Sequence, residues 1–183
     1  VIRDRVAAIM VGSKTVLKDN PYLTTRRADR DGRDPIRIIV DSKGILPLGS
    51  NVIGPKPDGR VILATTVGIQ KDKEEILTQR GVKIIKTGGD DGYVDLNGLM
   101  ARLHNLGIDS ILLEGGGILN GSAIEAGIVN KVMYFIAPKI AGGKDAPTSV
   151  EGSGVDKMIE AIKLRDISTR LFGEDILIEG YIS

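Results

Sequence analysis

Cysteine is absent from this 183-residue sequence. That excludes disulfides, a thiol nucleophile and cysteine-ligated zinc or iron–sulfur centres within it. Tryptophan is missing too, and aromatics make up only 3 %, too few for a base-stacking platform. The formal net charge is +1, so no strong field of one sign points to nucleic acid or anionic lipid. No apolar run approaches the ~20 residues of a membrane-spanning helix, and no signal-peptide pattern is present. The cytoplasm is the default expectation. The single histidine, His104, lies among helical leucines and reads as structural. A metal site would need several ligands, and the acidic stretch GGDDGYVDLNG lacks the closing glutamate of a calcium-binding loop.

What is abundant is glycine, 24 residues, set between short apolar runs. VAAIMV, IRIIVD, VILATT, VKIIKT and SILLEGGG read as buried strands, bounded by turn residues. KDKEEILTQR before Gly81 and VDLNGLMARLHNLG with its leucines three or four apart read as helices closed by glycine. Asp19-Asn20-Pro21 stops a short helix after the first strand. Residues 24–34 form a polar loop, LNGSAIEAG a further helix and KVMYFIAP a further strand. The closing KLRDISTRLFGEDILIEGYI reads as a hairpin around Phe172–Asp175. Strands alternating with helices predict one domain with a mixed, mostly parallel sheet covered on both faces, a three-layer α/β/α fold whose hairpin adds antiparallel strands at one edge.

In such a sheet, ligands gather beyond the carboxyl ends of the strands. Gly115-Gly116-Gly117 stands there, before a helix. The missing Cβ atoms and the helix N-terminus suit a pyrophosphate, and a plain turn suits the glycines equally well. Neither the G-x-G-x-x-G fingerprint nor a phosphate-binding Walker loop is present, because position 120 is Asn and GSKT lacks the spacing. Glu114 ends an apolar strand, either reaching solvent or contacting a ligand hydroxyl or amine.

Four segments carry a resemblance. IMVGSKTVLKDNPYLTTR, PIRIIVDSKGILPL, ILLEGGGILNGSAIEAGIVNKVMYFIAPKIAGGKDAPT and LFGEDILIEGYI follow, in order, the motifs of the pyrimidine reductases of riboflavin biosynthesis, most closely the C-terminal reductase half of the bacterial bifunctional deaminase/reductase. The resemblance implies a dihydrofolate-reductase-like fold over residues 1–183 as a single reductase domain. The family's N-terminal strand and the zinc deaminase half would lie upstream of Val1. It implies NADPH as the hydride donor and 5-amino-6-(5-phosphoribosylamino)uracil as the substrate, whose ribosyl group becomes ribityl. The alternatives are the undeaminated pyrimidinone, a pterin, or a non-catalytic nucleotide-binding role. A homodimer without nucleic-acid or membrane partners is also implied.

Carried over, Arg3 and Arg26 would grip the substrate phosphate, with Leu23 beside them. Thr15 and Asp19 would contact substrate, Thr15 the cofactor as well. Glu114, with Asp19, would stand at the reacting region as the catalytic pair. Gly115, Gly116 and Gly117 would face the cofactor pyrophosphate, and Ser42 and Thr66 its adenosine side.

Overall fold

The computed structural model describes residues 2–26, 32–54, 60–89, 91–144 and 146–183. Part of the polar loop expected at 24–34 thus lies outside the described residues. After a 3₁₀ turn at Ile2–Arg5, the chain alternates strand and helix: β1 Ala8–Gly12, α1 Ser13–Asp19, β2 Ile36–Val40, β3 Val61–Thr65, α2 Lys71–Gln79, β4 Lys83–Lys86, α3 Leu96–Asn105, β5 Ile111–Leu113 and α4 Gly117–Glu125. Then come β6 Lys131–Ile136, β7 Leu164–Phe172 and β8 Asp175–Ile182.

The first five strands form a parallel sheet in the order β4-β3-β2-β1-β5. Period-2 alternation sends neighbouring residues of each strand to opposite faces, and two cores result. Met10, Ile38, Ile62 and Ile85 meet α3 and α4 through Leu99, Leu103, Leu119 and Ala123. Ile9, Val11, Ile39 and Leu63 meet α1 and α2 through Val16 and Leu77. Leu99 and Leu77 are fully buried, each contributing about 2 kcal/mol of transfer free energy. The three expected layers are therefore present. Asp95 caps α3 by accepting from the Gly98 amide at 3.0 Å. Gly81 and Gly107 follow α2 and α3 with φ of +76° and +77°, the left-handed conformation that only glycine adopts without a Cβ penalty.

One expectation is corrected. The closing hairpin does not extend the parallel sheet. With β6 it forms a second, antiparallel sheet ordered β6-β8-β7. All six β6 residues pair with β8, from Lys131 opposite Tyr181 to Ile136 opposite Ile176, whereas β5 has only three residues and pairs with β1. Glu179 on β8 accepts from Lys131 Nζ at 2.7 Å and lies 2.8 Å from Arg170 Nη2. The Lys131 hydrogen bond and these two charges hold its carboxyl below the usual range. Protonation lost from the folded state in this way stabilises the sheet above the ordinary carboxylate range, a contribution that fades as pH falls through it. Among the described residues, no helix is long and apolar enough to cross a membrane.

Candidate active site

Strand order decides where the crevice lies. From β1 the chain steps outward through β2 and β3 to β4, then returns to place β5 on the other side of β1. The connections leaving β1 and β5 therefore diverge, and the gap between their carboxyl ends is the topological switch point where open α/β sheets take ligands. Thr15, in the first turn of α1, spans that gap. Its Oγ1 accepts from the Gly116 amide at 3.1 Å, across 101 residues of sequence.

Beside the switch point is a cavity of about 600 Å³, lined by Arg3, Asp19, Leu23, Thr24, Arg26 and Glu114 among others. The fold brings together five of the residues expected to hold substrate. The backbone at the floor is unusual. Asn20 ends α1 in the left-handed region with φ +40°, and Leu23, buried, has φ +55°. A leucine there costs about 1 kcal/mol, so surrounding contacts must impose it. The neighbouring Asn20 is held by two contacts. Asn20 Oδ1 accepts from the Asn51 amide at 2.8 Å, and Asn51 Nδ2 donates to the Asn20 carbonyl at 2.9 Å.

Arg3 and Glu114 form a two-pronged pair. Arg3 Nε donates to Oε1 at 3.0 Å and Nη2 to Oε2 at 2.6 Å, while Nη1 donates to the Thr24 carbonyl at 3.0 Å. The hydrogen bond to Glu114 holds the guanidinium above even its ordinary high range. Three of its five N–H groups are thus committed within the protein. Arg3 orients Glu114 and ties it to the 20–26 segment, and two N–H groups are left for an anion. Arg26, exposed at the cavity rim, carries the second positive charge. Asp19 is exposed at the end of α1.

The three glycines differ from one another. A Cβ on Gly115 would come within 2.9 Å of Leu119 Cδ2, so any side chain there would have to displace Leu119 on α4. Gly117 is buried, and a Cβ would meet Glu151 Oε1 at 2.6 Å and the Thr148 carbonyl at 2.7 Å. It faces the 148–151 segment, which is tied down by the Glu151 amide donating to the Gly117 carbonyl at 2.9 Å and Asn120 Nδ2 donating to the Ser149 carbonyl at 2.8 Å. Gly116 alone is exposed, at the N-cap of α4, where no side chain caps the helix. The surface open to a pyrophosphate narrows from three glycines to Gly116 and the exposed side of the first turn around Ile118. Glu151 and Thr148 were not legible as neighbours of this turn, because nothing in local sequence marks a segment that folds back from 30 residues away.

Ser42 and Thr66 lie outside the cavity, at the carboxyl ends of β2 and β3. The Thr66 hydroxyl donates to the Ser42 carbonyl at 3.2 Å, and Ser42 Oγ accepts from the Val94 amide at 3.0 Å. No group of three or more acidic or histidine side chains that could hold a metal exists among the described residues.

The family model described as the RibD C-terminal domain matches residues 1–178. The riboflavin biosynthesis protein RibD of Actinobacillus pleuropneumoniae is 42 % identical over 177 residues, covering 97 % of this chain and 46 % of that protein. A protein of Methanothermobacter thermautotrophicus named 2,5-diamino-6-ribosylamino-4(3H)-pyrimidinone 5′-phosphate reductase is 36 % identical over 179 residues, covering 97 % of this chain and 81 % of the relative. The chain therefore spans about half of the former and most of the latter. Among solved structures, RibD of Acinetobacter baumannii superposes with a TM-score of 0.80 at 19 % identity, over 99 % of this chain and 48 % of that one. The riboflavin biosynthesis reductase of Saccharomyces cerevisiae gives 0.74 at 24 %, over 99 % and 77 %. At those identities the structures establish the shared fold, and the sequence matches establish descent. A match over 178 residues, with the switch-point cavity built from the same segments that carry the motifs, places this chain in the RibD C-terminal domain family of riboflavin-biosynthesis reductases.

Proposed function

We propose that the chain reduces the ribosyl group of a 5-phosphoribosylamino-pyrimidine to its ribityl form, with NADPH as donor. The substrate is 5-amino-6-(5-phosphoribosylamino)uracil or its undeaminated 2,5-diamino analogue. The observation that carries this is the convergence of Arg3, Leu23, Arg26 and Glu114 on one cavity beside the uncapped start of α4. Arg26 and the two remaining N–H groups of Arg3 suit a phosphate dianion, which takes forked donors well. Glu114, fixed by Arg3, is placed to accept from ribosyl hydroxyl or amine protons. Asp19 adds a second carboxylate at the rim.

The residues fit a dinucleotide. Gly116 is exposed, and the first amides of α4 have no side-chain cap, which is the arrangement that receives phosphate oxygens. The nicotinamide, when bound, supplies the hydride. The protein supplies orientation, exclusion of water and the local charge. A cytoplasmic homodimer belongs to the same reading.

The test follows NADPH oxidation by its near-ultraviolet absorbance on addition of the phosphorylated pyrimidine. Turnover supports the reading, and no turnover with either pyrimidine overturns it. Arg26→Ala is expected to weaken substrate by about 1.5–3 kcal/mol, and unchanged substrate affinity would remove Arg26 from the site. Gly116→Val is expected to weaken NADPH more than substrate, because even the Cβ would sit 3.2 Å from Thr15 Oγ1 and its branches would fill the approach to α4. Equal NADPH affinity in variant and parent would contradict this.

A further inference from the structure

Residues 20–26 belong to no helix or strand, so no ladder supplies partners for their amides and carbonyls. Yet this segment contributes Leu23, Thr24 and Arg26 to the cavity lining. At its start Asn20 is held by Asn51. At its end the hold comes from the far side of the 24–34 loop. The Thr25 amide donates to Asp34 Oδ1 at 2.7 Å, and the Thr25 hydroxyl to the Arg33 carbonyl at 2.8 Å. The Arg33 amide in turn donates to Asp4 Oδ1 at 2.8 Å. Arg3, next to Asp4, donates to the Thr24 carbonyl at 3.0 Å. Three stretches of chain, 3–4, 24–25 and 33–34, thus close into one ring of hydrogen bonds.

The ring has a fixed side. Pro35 is buried, and the Ile36 amide donates to the Ala7 carbonyl at 3.0 Å where the β1–β2 ladder opens. Arg60 Nη1 donates to the Asp34 carbonyl at 3.1 Å. Asp34 therefore stands on the sheet, and Thr25 is hung from it. A carboxylate accepting from an amide is one of the stronger hydrogen bonds. The residue after Thr25 is Arg26, exposed on the cavity lining, whereas Asp34 is not on that lining. Fixing the backbone at Thr25 removes freedom from the base of a long, rotamer-rich side chain. Arg3 lies on the opposite arc of the ring, so the same bonds relate the two cations to each other.

We propose that Asp34 is a positioning residue for the substrate phosphate. By holding the Thr25 amide it sets Arg26 relative to Arg3, and so makes the cavity select a phosphorylated pyrimidine over the same molecule without its phosphate. This rests on the reductase reading and adds to it a residue that acts through Arg26. Placing a forked cation beforehand spares the ordering cost at the moment of binding.

Steady-state NADPH oxidation tests the proposal, with the phosphorylated pyrimidine and its phosphate-free counterpart as substrates. The proteins are the parent, Asp34→Ala, Asp34→Asn, Arg26→Ala and the Asp34→Ala/Arg26→Ala double variant. Asp34→Ala is expected to raise KM for the phosphorylated substrate by about 10-fold, the scale of one charged hydrogen bond. Its kcat, and its kcat/KM for the phosphate-free substrate, should stay within about twofold of the parent, the pattern of lost uniform binding. Asp34→Asn keeps an acceptor oxygen and should restore most of the affinity. On the Arg26→Ala background, Asp34→Ala should add less than about twofold, because its effect passes through Arg26. Asp34→Ser, too short to reach the Thr25 amide, should give the same split as alanine and decides the matter should the alanine variant not fold. Losses equal for both substrates, losses that persist in full on the Arg26→Ala background, or no loss at all overturn the assignment and leave the reductase reading standing. An Arg26→Ala variant with unchanged KM overturns this assignment together with the phosphate role of Arg26, and a parent that turns over neither pyrimidine overturns the reductase reading as well.

Discussion

Glu114→Gln will lower kcat by roughly 100-fold or more, the scale of a positioned acid–base group, while moving the substrate dissociation constant less than about threefold. Arg26→Ala should do the opposite. The contrast arises from what each residue touches. Arg26 is exposed on the cavity lining, where a phosphate remote from the reacting carbon would sit, and Glu114, on the same lining, is held by Arg3 through two hydrogen bonds. Binding that is the same in ground and transition states appears in KM, and contacts made only in the transition state appear in kcat.

Arg3→Gln separates positioning from stability. The pair is about one-third exposed on both sides, so solvent screens it, and its loss should cost no more than about 1 kcal/mol of folding free energy. Its loss should nevertheless lower kcat nearly as far as Glu114→Gln does, because an unheld carboxylate samples many rotamers. The double variant should be no worse than the poorer single one, since the two act as a unit. Losses that multiply in the double variant would show that Arg3 and Glu114 work separately, and the positioning role would fall. A large drop in urea midpoint for Arg3→Gln would instead make the residue structural.

How much of this could be read beforehand depends on the range over which each feature is encoded. α2 and α3 were legible because a closing glycine, Gly81 or Gly107, and in α3 the leucine spacing are local signals. The five parallel strands were legible because buried strands are short apolar runs between turn residues. The separate antiparallel sheet was not, because which strand β6 pairs with depends on a partner about 45 residues away. The candidate site follows the same rule. Motif residues Arg3, Leu23, Arg26 and Glu114 were nameable from the resemblance. That Arg3 gives two of its donors to Glu114 joins positions 111 residues apart and carries no local signal. The positive φ of Leu23 runs against its residue type, and no propensity would suggest it.

Asp41→Ala is expected to be the most destabilising single change near the site, by about 2–4 kcal/mol. The Asp-Ser-Lys-Gly segment reads as a ligand loop, yet the carboxylate of Asp41 serves the fold. It is fully buried and accepts from the Ile45 amide at 3.0 Å and the Leu46 amide at 2.8 Å. Leu46 is itself fully buried, so truncation strands an amide in the core without a partner, a loss at the upper end for a charged acceptor. Asn at this position keeps one acceptor oxygen and should lose about half as much. Ser42 rides on the turn that Asp41 closes, so the variant should also bind NADPH more weakly at a temperature where it remains folded. Urea denaturation of parent, Asp41→Asn and Asp41→Ala, followed by far-ultraviolet circular dichroism, gives the ordering directly. If the alanine variant lay within about 0.5 kcal/mol of the parent, the size of an ordinary surface change, the turn would be held by something other than Asp41.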